Sequence, residues 1–77
     1  MTLRQTVETI WRTALRLDHL EETADFYALG GTSLELALIL ADAKEQLDVE
    51  FDIFEFIEQP NSQRLFSIIE RTRAIDA

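Results

Sequence analysis

Leu3, Val7, Ile10, Trp11, Ala14 and Leu15 recur at three- and four-residue spacing, which predicts an amphipathic helix I over about Leu3 to Leu15. Thr2, with Gln5 three residues on, forms a capping box ahead of it. Arg4, Glu8 and Arg12 fall on the other faces and are expected to be solvated, whereas Trp11 lies on the apolar stripe as a core anchor. From Arg16 to Gly31 the period is lost for sixteen residues. A connection that long is usually functional or disordered. Here Leu17, Leu20, Phe26, Tyr27 and Leu29 supply apolar anchors, so an ordered crossover is expected, with room for short helical pieces.

Helix II is predicted from about Ser33 to Leu47, and nine of the fourteen residues from Leu34 to Leu47 are apolar, more than one core stripe needs. At about 100° per residue they separate into two faces. Leu36, Ile39, Leu40, Ala43 and Leu47 share the stripe assigned to the core. Leu34, Ala37, Leu38 and Ala41 cluster about 150° round the axis, bordered by Glu35, Asp42, Lys44 and Glu45. Either helices cover both faces, or the second stripe is exposed and used by partners, as apolar patches with polar rims commonly are; we adopt the second. Val49 and Phe51 then alternate as in a short extended connection, and Ile53 to Glu58 reads as a brief helix III ended by Pro60. So short a piece cannot turn Phe54, Phe56 and Ile57 to one core. Either one aromatic, assigned as Phe54, belongs to the partner surface near Ser33, or loop residues help to bury all three. Asn61 or Ser62 caps helix IV, whose Leu65, Ile68, Ile69 and Thr72 share a stripe with Phe66 beside it, and whose Arg71 and Arg73 suit the C-terminal dipole. The expected fold is all-α: a four-helix bundle with a short third helix and a long loop between helices I and II, in one domain over residues 1–77.

Composition narrows the function. The 77 residues include no cysteine, which removes a disulfide framework, a thiolate metal site and a cysteine nucleophile. The longest apolar run, Leu36 to Ala41, is six residues against the roughly 18 needed to span a bilayer. No signal peptide is visible, so a cytoplasmic monomer without a membrane partner is expected. Seven basic against fifteen acidic residues leave a net charge of −8, which repels a phosphate backbone and argues against nucleic acid. The same charge favours encounter with basic partners.

The stretch with chemical character is Asp25 to Leu34. Gly30 and Gly31 permit positive φ and a tight turn. Thr32 reads as an N-cap, with Glu35 completing the S/T-x-x-E box. Ser33 then occupies the first helical position with its hydroxyl free, beside unpaired backbone N–H donors and the positive end of the helix dipole, a setting that favours the charge of a phosphate ester. No catalytic constellation accompanies it. His19 has no second His or Cys and no orienting partner, so it reads as a surface or loop-packing residue. Gly30-Gly31-Thr32-Ser33 lacks the Lys and spacing of a P-loop, and the acidic residues lack EF-hand spacing. A non-catalytic protein is expected, with no metal.

The pattern Asp25-Phe26-Tyr27-x-Leu29-Gly30-Gly31-x-Ser33-Leu34 resembles the phosphopantetheine attachment site of carrier proteins, particularly the peptidyl carrier (thiolation) domains of nonribosomal peptide synthesis. The resemblance covers nearly the whole chain and implies the acyl carrier protein-like bundle. It implies that Ser33 bears a 4′-phosphopantetheine arm whose thiol holds an aminoacyl, peptidyl or acyl group as a thioester. The implied partners are a phosphopantetheinyl transferase, an adenylating or acyl-loading enzyme, and condensing, modifying or releasing enzymes. The implied docking face is that of helix II after the serine, Leu34, Ala37, Leu38 and Ala41, with Thr32 and Phe54 beside it. Phe56-Ile57-Glu58-Gln59-Pro60-Asn61 is similar to the family's Phe-x-x-Pro-Thr junction, with Ile57 and Asn61 as substitutions. The chain departs from the family at Thr32, where His or Asp is usual; Thr caps but brings neither charge nor imidazole. Gly30-Gly31 tilts toward a peptidyl carrier over an acyl carrier of polyketide or fatty-acid type. A helical interaction module that never carries cargo is the reading from another class. Met1 just before helix I fits a free-standing carrier, and an excised domain with an added Met has the same sequence.

Overall fold

The computed structural model describes residues 1–76 and places four helices in them: α1 (Leu3–Leu15), α2 (Ser33–Leu47), α3 (Ile53–Ile57) and α4 (Ser62–Asp76). Helix I and helix II thus have the predicted bounds. The third helix stops one residue short of Glu58, which remains right-handed as its C-cap.

The caps were encoded locally. Thr2 and Gln5 form the predicted box at α1, and the Asn61 side chain accepts from Arg64 N–H at 2.7 Å to start α4. Asp52 does the same for α3, accepting from Phe54 N–H at 2.9 Å. At their C-termini α1 and α2 end on the left-handed residues Arg16 (φ 58°) and Asp48 (φ 52°), positions where glycine is the usual choice.

Helix α1 packs against both α2 and α4, and α3 packs against α4. Trp11 is at the centre, fully buried, with Phe26 and Phe56 edge-on to it at centroid distances of 5.5 and 5.9 Å. Phe26 and Phe56 meet each other at 6.1 Å, and Phe51 meets Phe56 at 5.9 Å. Such edge-to-face pairs add about 0.5–1.5 kcal/mol each to the burial of their area. Val7, Ile10, Ala14, Leu36, Ile39, Ala43, Val49, Leu65, Ile68 and Ile69 complete the core. Both members of the predicted extended connection face inward, Val49 buried and Phe51 packed on the core.

The expectation of solvated polar faces on α1 changes at three positions. Arg12 is half-buried, and its Nε is enclosed without a partner among the described residues; Glu8 is also half-buried. Arg4 is exposed but not merely solvated: it pairs with Glu22 and lies over the Phe66 ring, 4.3 Å from its centroid. For Arg4 the cause is the long loop, whose Glu22 reaches α1 while its backbone bonds to the start of α4. Glu22 O accepts from Gln63 N–H at 3.1 Å, and Phe26 N–H donates to Pro60 O at 2.7 Å. The crossover between α1 and α2 is therefore bonded to the start of α4.

Candidate functional site

The site begins one turn before α2. Asp25 accepts from the N–H groups of Tyr27 and Ala28 through one carboxylate oxygen, both at 3.0 Å, and Leu29 N–H returns to Asp25 O at 3.0 Å. This single helical turn closes with Gly31 N–H on Phe26 O (3.0 Å) and Gly30 N–H on Tyr27 O (3.1 Å), the paired bonds of a Schellman ending. Gly30 has φ +91°, while Gly31 does not have positive φ. The two glycines thus have different causes. Gly31 is needed because a Cβ there would meet the Phe26 ring at 2.4 Å. That ring belongs to the core, so the turn ahead of Ser33 is seated directly on the aromatic cluster.

Thr32 is the N-cap (φ −127°, ψ −178°), and its box with Glu35 is complete. Thr32 Oγ accepts from Leu34 N–H at 3.2 Å, and Glu35 Oε1 accepts from Thr32 N–H at 2.8 Å and from the Thr32 hydroxyl. The Thr32 hydroxyl, then its N–H, hold the Glu35 carboxyl below its usual range, and the Arg16 cation adds a smaller pull in the same direction. The carboxylate is consequently charged at neutral pH.

Ser33 is the first residue of α2, exposed, and its hydroxyl makes no hydrogen bond among the described residues. The surrounding donors differ from expectation. The N–H groups predicted to be unpaired beside Ser33 are largely taken: the Thr32 side chain receives those of Leu34 and Glu35, and Leu36 N–H is bonded to Thr32 O at 3.0 Å. A covalent ester on Ser33 Oγ fits this geometry, since the residue is exposed and no side chain among the described residues bonds its hydroxyl.

The second stripe of α2 is exposed. Thr32, Ala37 and Ala41 are open to solvent, and Leu34 and Leu38 have 64% and 44% of their surface exposed. Phe54 is exposed at 73%, but α3 packs on α4 and makes no close backbone approach to α2, so it is not continuous in backbone with the stripe. The sequence reading missed two exposed apolar residues. Tyr27, expected to anchor the loop, is 55% exposed, with its ring in a T-shaped pair with Phe26 at 5.3 Å between centroids. Ile57 is 39% exposed while Phe56 between it and Glu55 is buried. The signal for Tyr27 was available: in a helical turn, adjacent residues point about 100° apart, so Phe26 and Tyr27 cannot both enter one core. The loop is also held by Leu20 and Leu29, which pack on the core. His19 is exposed. Glu55 ties α3 to α4, its carboxylate receiving both Arg64 (3.2 Å) and Arg71.

The family model "Phosphopantetheine attachment site" matches residues 5–67, and the chain belongs to that family of carrier proteins, which bear phosphopantetheine on a serine and are not themselves enzymes. Over 72 residues the chain is 25% identical to nonribosomal peptide synthetase 30 of Fusarium vanettenii, covering 91% of this chain and about 1% of the synthetase's length. The bundle superposes on a peptidyl carrier protein, solved with the phosphopantetheine transferase Sfp and coenzyme A, with TM-score 0.84, 18% identity and 92% coverage of each chain. It also matches BlmI, a type-II acyl carrier protein from Streptomyces verticillus involved in bleomycin biosynthesis, with TM-score 0.75, 25% identity, and coverage of 97% of this chain and 87% of that one.

Proposed function

We propose that Ser33 is the serine that receives phosphopantetheine, and that the protein carries an aminoacyl, peptidyl or related acyl group for nonribosomal peptide or related natural-product synthesis. The observation that carries this reading is an exposed, unbonded hydroxyl at the first position of α2, inside the segment matched by the attachment-site family. The peptidyl assignment draws support from the Fusarium synthetase and the peptidyl carrier fold, and from the paired glycines.

Coenzyme A is the donor in this scheme. Ser33 Oγ attacks the phosphorus next to the pantetheine, its proton passes to a base on the transferase, and adenosine 3′,5′-bisphosphate departs. The chain contributes no acid or base. It holds the hydroxyl outward at a helix end and keeps the preceding turn fixed through Gly31 on Phe26. The attached arm supplies a terminal thiol on which cargo is held as a thioester. The transferase, an adenylating or acyl-loading enzyme, and the condensing, modifying or releasing enzymes would use the α2 stripe of Leu34, Ala37, Leu38 and Ala41, with Thr32 and Phe54 as flanking contacts. One face serving several partners in turn calls for modest affinity and fast release.

The test is intact mass after incubation with coenzyme A and a transferase of broad specificity. The expected result is the gain of one phosphopantetheine, lost in Ser33→Ala. No gain, or a gain that persists in Ser33→Ala, overturns the assignment.

A further inference from the structure

Helix N-termini attract phosphate because their first N–H groups lack acceptors and the dipole is positive there. In α2 those groups are already spoken for. Thr32 Oγ receives Leu34 N–H at 3.2 Å and also serves Glu35 N–H. Glu35 Oε1 turns back onto the N–H and hydroxyl of Thr32. Of the first three helical residues, only Ser33 itself keeps a backbone N–H without such a partner. A full negative charge also stands within the same turn, since Glu35 is held ionised. Beyond the N–H of Ser33 itself, a phosphodiester on Ser33 would therefore meet occupied donors and a like charge.

We propose that the Thr32–Glu35 box keeps the phosphate of the Ser33 arm off the Leu34 and Glu35 N–H groups at the end of α2, so that the arm is not docked on those donors. This rests on the assignment of Ser33 as the attachment residue and adds a positioning role for Thr32 and Glu35. Both effects act in one direction: the box removes the acceptor-seeking N–H groups that would dock the phosphate, and the carboxylate repels it. Opening the box exposes the N–H groups of Leu34 and Glu35 and lets the diester bond to them.

The experiment compares apo and loaded protein by amide and phosphorus NMR, with loading verified first by intact mass. In the natural sequence, and in Thr32→Ser, loading is expected to leave the Leu34 and Glu35 amide shifts close to their apo positions and to give a narrow phosphorus line. In Thr32→Ala, loading is expected to move both amides downfield and broaden the phosphorus line. Glu35→Ala is the second variant, removing the charge and opening the Thr32 N–H, and loading is expected to move the Thr32 amide in the same sense. A loaded natural protein that already shows the downfield shifts and broad line overturns the proposal. So do two loaded variants that behave like the natural sequence. Failure to load is seen separately, as an unchanged mass, and overturns the Ser33 assignment together with this inference.

Discussion

Gly30 and Gly31 are adjacent and look interchangeable, yet each is required for a different reason. Gly30 supplies a left-handed backbone (φ +91°) with open space around its Cα, whereas Gly31 gives way to the Phe26 ring. Gly30→Ala should cost about 1–2 kcal/mol, the penalty of left-handed backbone for a residue with Cβ, and leave the core in place. Gly31→Ala should cost about 1–3 kcal/mol through overpacking and push Phe26 away from Trp11. Denaturant midpoints measure both losses, and the emission of Trp11, the sole tryptophan, separates them: only the Gly31 variant should change it. A spectral change in the Gly30 variant alone would show that the roles are reversed. The S/T-x-x-E spacing made the Thr32 cap and the outward Ser33 readable from four consecutive residues. Gly31 was not readable in that way, because its cause is an aromatic ring whose position is set by the whole core.

Among the helices, α2 was the most legible and α3 the least. Four turns of apolar residues define two faces by angle alone, and Leu36, Ile39 and Ala43 are buried while Leu34 and Leu38 are exposed. Five residues of α3 contain too little of a period to choose a face. Its orientation comes instead from Phe56 in the core and from Glu55 bridged to Arg64 and Arg71, pairings across nine and sixteen positions that no local pattern announces. The Glu55 side chain is partly shielded, while Arg71 is more exposed, so the pair contributes within the usual range of surface ion pairs, about 1 kcal/mol or less. The effect on orientation should exceed the effect on stability. Glu55→Ala is expected to lower the global unfolding free energy by about 1 kcal/mol at most, yet to speed amide exchange across Ile53–Ile57 while α1, α2 and the middle of α4 keep their protection. Uniform acceleration in all four helices would mean that Glu55 supports the core as a whole and not the placement of α3.

For the molecule as a whole, helix order and an acidic balance were legible, but the anchoring of the crossover was not: Phe26 on Pro60 and Glu22 on Gln63 join segments that only the folded chain brings together. These bonds tie the crossover down at Phe26 and Glu22 while the N-terminal end of α2 stays exposed. The net charge of −8 then bears on how anything reaches that end. Coenzyme A is itself an anion, so unassisted approach is electrostatically opposed, and a transferase that brings it must carry compensating positive charge. Attraction of that kind acts at long range and is screened, with a Debye length falling from about 30 Å at 0.01 M salt to about 8 Å at 0.15 M. Contact with Leu38 on the proposed docking face is short-range and insensitive to salt. The two contributions should therefore separate kinetically in binding of the apo protein to a transferase. Raising salt over that range is expected to reduce the association rate by about tenfold, within the span of electrostatic steering, with little change in dissociation. Leu38→Ala should leave association nearly unchanged and speed dissociation by about tenfold, equivalent to about 1.4 kcal/mol of lost contact. An association rate indifferent to salt would remove the role given to overall charge, and a Leu38→Ala complex that dissociates at the natural rate would remove Leu38 from the docking face.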